Sequence, residues 1–225
     1  MNGSKEVLDI GCRNGAMTRL LSNKYSDSHF TAIDSVHEKV SKAKEFSTSN
    51  ATYETVDSLK MTYREDFHAV VSFSCLHWIR NKNQVLQNIY HSLKPGGKAY
   101  LQFFAVHGRL KNDRFFFHVA QKSKWKSCFK NFIPFYHEIT AGELCTLLHN
   151  LGFVIHRLEF DRYQTTFSHP DSLGMWFQTW ASHIDRIPAR KKGHFLDEVV
   201  QAYRGVYQFS DNDTFSKSTG YADII

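Results

Sequence analysis

The 225-residue chain has few cysteines, no long apolar run, no internal repeat and only four prolines. Its four cysteines, Cys12, Cys75, Cys128 and Cys145, are far apart and form no Cys-x-x-Cys pair. That spacing disfavours a disulfide framework and a zinc site and points to a reducing, cytoplasmic compartment. No stretch reaches the roughly 20 apolar residues of a membrane span, and no signal-like segment follows Met1. There are 13 histidines, but no His-x-x-x-His or Glu-x-x-His pair sits on an apparent helix face, so no metal is expected. The net charge of +6 comes with modest basic clusters at Lys122–Lys130 and Arg190–Lys192. Neither cluster carries a recognition motif, so no nucleic-acid partner is expected. Nothing in the pattern speaks to oligomeric state.

Two phosphate-binding signatures are also missing. At the start of the chain, Val7-Leu8-Asp9-Ile10 runs into Gly11-Cys12-Arg13-Asn14-Gly15 and then into a helical pattern from Ala16. A dinucleotide fingerprint, Gly-x-Gly-x-x-Gly, needs glycines where this chain has Arg13 and Ala16. A Walker loop needs a terminal Gly-Lys-Ser/Thr, which is absent. What remains is a strand, a tight turn and a helix of the kind that holds nucleotide-like ligands.

Hydrophobic residues at 42% against 22% charged describe a globular chain, long enough for a single α/β domain. Strand and helix signals alternate through residues 1–105. Strands are expected at 5–10, 29–34, 52–56, 67–73 and 98–105, and helices at 16–22, 36–46 and 83–93, the last stopped by Lys94-Pro95-Gly96-Gly97. Such alternation implies a doubly wound, Rossmann-like, mainly parallel sheet. A long strand over 153–166 and a final one near 221–225 bring the expected total to seven. The second half, 106–225, is richer in aromatics. It carries a helical pattern over 110–125, a capping box at Thr140 and Glu143, and an inserted helical cap at about 170–207.

Ligands in such sheets sit beyond the carboxyl ends of the strands. Asp34 ends the second strand, where a carboxylate can accept from both hydroxyls of a ribose. Asp57 follows the third strand and can accept from an adenine amino group. The residues Ser72, Phe73 and Ser74 end the fourth. Trp176 and Trp180 lie one helical turn apart, and Trp125 belongs to an aromatic cluster; such stripes serve either as plain core or as the wall of an apolar acceptor pocket. Arg186 has the fork geometry to pair with an acidic head group or with a carboxylate in a surface salt bridge.

The order of these pieces is identifiable. Val-Leu-Asp-Ile-Gly-Cys at 7–12 with Gly15, Ala-Ile-Asp at 32–34, Val-Asp-Ser at 56–58, Val-Ser-Phe-Ser-Cys-Leu-His-Trp-Ile at 71–79 and Leu-Lys-Pro-Gly-Gly at 93–97 resemble class I S-adenosylmethionine-dependent methyltransferases. Within that superfamily, 75–79 with Asn88-Ile89-Tyr90 is similar to juvenile hormone acid methyltransferases. Phe167–Pro170 with Trp176, Trp180 and Arg186–Pro188 is similar to trans-aconitate methyltransferases. Both groups methylate carboxylic acids.

The resemblance implies S-adenosylmethionine as cofactor. It places Asp9, Gly11, Cys12, Arg13 and Gly15 around the methionine part, Asp34 and Ser35 at the ribose, Asp57 and Ser58 at the adenine, and Ser72–Ser74 along the middle. His77 and Trp78 face the acceptor, a small-molecule acid, with His77 as an orienting group. No catalytic base is expected, because a carboxylate is already ionised at pH 7. Two departures support an alternative, a weakly active or non-catalytic binding protein. Arg13 occupies the middle of the glycine turn, and the first strand begins by Lys5, where family members carry helices that close over the cofactor.

Overall fold

The structure is a computed structural model. It describes residues 5–105, 114–133, 139–167, 170–179, 181–207 and 215–224, with side chains set aside at 104–105, 160–167, 170, 207 and 215–224. It divides into two compact units. The first comprises 1–105, 139–160 and 221–225; the second comprises 106–138 and 161–220.

The first unit alternates β1 (Glu6–Ile10), α1 (Ala16–Lys24), β2 (His29–Asp34), α2 (His37–Lys44), β3 (Ala51–Thr55), β4 (Phe67–Phe73), a 3-10 turn (Leu76–Trp78), α3 (Lys82–Ser92) and β5 (Leu93–Ala105). β1, β2, β3, β4 and β5 pair in parallel. The hydrogen-bonded order is β3-β2-β1-β4-β5, continuing to β7 (Phe215–Ile224) and β6 (Leu158–Phe167). The chain winds outward from β1 to β3 and then returns to β4 on the other side of β1. This places the topological switch point between β1 and β4, where the crevice for a ligand opens.

Alternation along each strand feeds two cores. Val7, Ala69 and Val71 pack with Val40 and Ala43 of α2 on one face of the sheet. Leu8, Ile10 and Val70 pack with Val85, Leu86 and Ile89 of α3 on the other. A strand covered on both faces must be apolar nearly throughout, which explains the unbroken run at 67–73.

After β5 come α4 (Arg114–Ala120) and α5 (Ser123–Lys126), two short helices where the pattern suggests one over 110–125. The helix α6 (Ala141–Asn150) has the expected capping box. Thr140 Oγ1 accepts from Glu143 N at 3.3 Å, and Thr140 N donates to Glu143 at 2.8 Å. Gly152 follows at φ 90°, where an L-residue would be strained. β6 begins at Leu158, five residues later than the apolar pattern suggests, because Phe153 and Ile155 pack against the core instead. In the second unit α7 (Pro170–Gln178) and α8 (Lys192–Tyr207) close with α4 and α5 around Phe116, Phe177 and Phe195. No helix among the described residues is long and apolar enough to cross a membrane.

Candidate cofactor and acceptor site

The carboxyl ends of β1, β2, β3 and β4 are tied together by short hydrogen bonds. The amides of Gly11 and Cys12 both donate to Ile33 O, at 2.8 and 3.0 Å. Val56 N donates to Asp34 O at 3.1 Å, and Ser72 Oγ donates to Ile10 O at 2.9 Å. Asp9, Gly11, Asp34, Asp57 and Ser72 are thereby brought to one end of one sheet.

Gly11 and Gly15 both have positive φ, 82° and 75°. A methyl group at Gly11 would fall 2.3 Å from Cys75 Sγ, and one at Gly15 would fall 2.9 Å from both the Tyr53 ring and Ala43 Cβ. The turn is glycine here because β3, α2 and the turn after β4 press against it. Packing alone accounts for glycine at both positions. Arg13, exposed, sits at φ 53°, a left-handed conformation that L side chains adopt at a cost of ~1–2 kcal/mol. Its amide donates to Asp34 Oδ2 at 3.0 Å, and Val36 N donates to Asp34 Oδ1 at 2.9 Å. Each oxygen of Asp34 thus has one donor and retains a lone pair for a hydroxyl.

Asp9 is 2% exposed, and Thr18 Oγ1 donates to it at 2.6 Å. Burial pushes its carboxyl up to about 6, against the Thr18 bond, with Asp34 adding repulsion. Its visible work is to tie the turn to α1 through Thr18, a partner the sequence pattern did not suggest. Asp57 Oδ1 accepts from Leu59 N at 3.0 Å, and Ser58 O accepts from Asn88 Nδ2 at 2.9 Å. Ser35 and Ser74 are exposed, Phe73 is half-buried, and Cys12 is buried with its thiol pushed up to about 12 by burial.

His77, in the 3-10 turn, is buried, and burial with Lys82 beside it pushes the imidazole down to about 3. Trp78, its ring centroid 4.9 Å from that of His77, is exposed. Lys82, which motif reading passes over, is 5% exposed and donates to Ile79 O at 2.7 Å. The signal was available: Lys82, Val85, Leu86 and Ile89 share the i, i+3, i+4, i+7 face of a helix.

Three of the expected acceptor residues have partners inside the second unit. Trp125 is part of the second unit's own core, 2% exposed, with its indole N–H donating to Glu198 Oε1 at 3.1 Å. Arg186 pairs with no carboxylate among the described residues. Its guanidinium donates to Cys128 O at 3.3 Å and lies 6.0 Å from the Phe132 ring, bracing the 127–132 segment. Trp176 is half-buried against Phe177, at a centroid separation of 5.5 Å, on the same core. An apolar stripe at helical spacing cannot by itself distinguish such a core from a pocket wall. Trp180 lies outside the described residues, as do Ser168 and His169 of the related motif. No group of three metal-ligating side chains occurs among the described residues.

Juvenile hormone acid O-methyltransferase of Drosophila melanogaster is 33% identical over 140 residues, 60% of this chain and 46% of that relative. The chain therefore spans less than half the length of that curated relative. Trans-aconitate 2-methyltransferase of Variovorax paradoxus is 24% identical over 213 residues, 88% of this chain and 78% of that relative. A solved structure from Bacillus halodurans superposes with TM-score 0.68 at 18% identity, over 100% of this chain and 92% of that one, which supports the fold. A family profile described as a methyltransferase domain matches residues 2–158, and the chain belongs to that methyltransferase family.

Proposed function

We propose that the protein is an S-adenosylmethionine-dependent O-methyltransferase that acts in the cytoplasm on a carboxylic acid of small size. The observation that carries the acid reading is the state of the groups after β4. His77 is buried and held neutral down to about pH 3, and Cys75 is pushed up to about 12 by burial, with Asp34 and Asp9 adding repulsion. Neither is matched to take a proton at neutral pH from an amine or a phenol, and Lys82 beside them, pushed down to about 8, is still mainly an ammonium at pH 7, a donor rather than an acceptor. An acceptor that is already ionised needs no base.

The residues suit the cofactor. Asp34 keeps acceptor capacity for two ribose hydroxyls, Asp57 lies at the end of the neighbouring strand for an adenine amino group, and the Arg13 guanidinium is an exposed partner for an amino-acid carboxylate. When bound, S-adenosylmethionine supplies a methyl group on a sulfonium, an excellent leaving group. Asp34, Asp57 and Arg13 would hold the cofactor, and the methyl group would pass to a lone pair of the acceptor oxygen with the cofactor left as a neutral thioether. No proton moves. The protein's contribution is alignment and exclusion of water, which can be worth ~7–11 kcal/mol.

The test is transfer from labelled S-adenosylmethionine to a panel of fatty, terpenoid and tricarboxylic acids, beside matched phenols and amines. Esters from the acids alone are expected. Label on phenols or amines but not acids would overturn the acceptor class. A second reading, a methyltransferase-like binding protein, is favoured by the strained Arg13 in the glycine turn. Cofactor binding by calorimetry with no transfer to any acceptor would leave it standing.

A further inference from the structure

The helix α3 lays six residues inward, Lys82, Val85, Leu86, Asn88, Ile89 and Ser92. Val85, Leu86 and Ile89 fill the core. Lys82 holds the first place on the same face, where an apolar side chain would serve the fold better. An ammonium taken out of water without a counter-charge is expensive, and proteins retain one where something anionic meets it.

No carboxylate pairs with Lys82 among the described residues. Among the described residues its ammonium makes one hydrogen bond, at 2.7 Å to Ile79 O, which uses one of three N–H donors. Ile79 caps the 3-10 turn that carries His77 and Trp78, its own amide donating to Leu76 O. The titratable groups that face the ammonium are His77 and Cys75, both in the segment after β4 and both uncharged at neutral pH. A buried positive charge with uncharged neighbours thus lies at the carboxyl end of β4, beside the switch point. Bracing the 3-10 turn does not require a charge, since any neutral donor would do it.

We propose that Lys82 is the cationic anchor for the acceptor's carboxylate and the residue that makes the site prefer an acid to its neutral ester or amide. The inference rests on the reading of the acceptor as a carboxylic acid. It also gives the reaction a direction. The attraction exists for the substrate anion and vanishes when the O–CH3 bond forms, so the ester is released. Because the contact is made to the ground-state carboxylate, its loss falls on KM more than on kcat. Burial pushes the Lys82 ammonium down to about 8, and Cys75 opposes this slightly. KM for the acid is therefore expected to rise as pH passes about 8, while cofactor affinity stays level.

The experiment begins with the wild-type full chain and the best acid found in the panel. Lys82→Met is expected to raise KM for that acid ~10–100-fold, the worth of one hydrogen bond to a charged group, with kcat and S-adenosylmethionine affinity little changed. Inhibition by the matching primary amide should be much weaker than by a non-reactive acid analogue in the wild type, and equal to it in Lys82→Met. Lys82→Arg should keep KM nearly flat through pH 9. A lower Tm in Lys82→Met with unchanged KM would overturn the proposal and leave Lys82 as a brace for the turn. If Lys82→Met does not fold, the wild-type pH profile and the acid-to-amide ratio decide, and a flat profile with no acid preference overturns it. A wild type that methylates phenols or amines but no acid defeats the acceptor reading itself, a result separate from any Lys82 variant.

Discussion

The main-chain amide of Arg13 donates to the carboxylate of Asp34 at 3.0 Å, so the glycine turn after β1 and the acid at the end of β2 form one unit. The bond requires the turn to present that amide toward β2, and residue 13 meets the demand at φ 53°. A glycine would reach the same conformation without crowding between Cβ and carbonyl. The arginine is kept in spite of its backbone, which directs attention to its side chain.

Arg13→Gly is accordingly expected to raise stability by ~1 kcal/mol, the relief of left-handed strain less the extra entropy of an unfolded glycine. The same change should weaken S-adenosylmethionine binding, because the guanidinium is the proposed partner of the cofactor's carboxylate. Arg13→Ala removes the guanidinium but keeps the strain, so it should lose affinity without gaining stability. Calorimetry on the three proteins checks both halves; tighter binding by Arg13→Gly would refute the pairing.

Asp34→Ala removes the acceptor for two amides, Arg13 N and Val36 N. Leaving them unpaired is expected to cost ~1–3 kcal/mol, seen in a denaturant titration. Cofactor affinity should fall by at least ~10-fold, since the ribose contacts go as well. Asp34→Asn keeps one acceptor oxygen and should lie between the two. If Asp34→Ala bound the cofactor as the wild type does, the ribose assignment would be wrong.

Gly11→Ala tests the turn from the other side. Its φ of 82° is unfavourable for alanine, and the new methyl group would lie 2.3 Å from Cys75 Sγ. The expected loss is ~2–4 kcal/mol, from backbone strain and overpacking together. Cys75→Ala in the same chain should recover only the Sγ part of the steric share, since Cys75 Cβ would still lie 2.6 Å from the new methyl group, and none of the backbone share. A double-mutant cycle should therefore give a coupling of at least ~0.5 kcal/mol. Strict additivity of the two changes would mean that the Cys75 thiol does not press on this turn.

Much of the first unit was legible because its signals are local and ordered. Asp9, Asp34 and Asp57 mark three strand ends, and the Pro95-Gly96-Gly97 stop falls where a βα unit must turn. Two kinds of information were not local. Trp125, Trp176 and Arg186 have the right chemistry for a pocket, but the neighbours that claim them, Glu198, Phe177 and Cys128 O, come from distant sequence. Lys82 was missed for the opposite reason. Charged residues near a helix start are usually solvated, and only its register with Val85, Leu86 and Ile89 marks it as buried.

The second unit offers a pH test with a definite sign. His183 is 1% exposed, and its ring centroid lies 4.8 Å from Phe132, 5.0 Å from Phe116 and 5.1 Å from Phe117. Among the described residues its Nε2 has no hydrogen-bond partner, and burial pushes the imidazole down to about 4. In the unfolded chain the group titrates near 6.5. Its contribution to stability is thus fully present above pH 6.5 and is lost as pH falls toward 4. Asp9 works in the reverse sense, since its raised carboxyl favours the fold below about pH 4 and loses that contribution as pH rises through 6. The two slopes oppose each other in one window, so the wild-type curve alone cannot assign them. His183→Leu removes one of them and also relieves the buried Nε2 of its missing partner. It is expected to be near wild-type stability or above at pH 8, and to gain a further ~2 kcal/mol relative to wild type at pH 4.5. Denaturant titrations of both proteins from pH 4.5 to 8 check this, and a difference that does not vary with pH would mean that His183 is not held neutral by its phenylalanine surroundings.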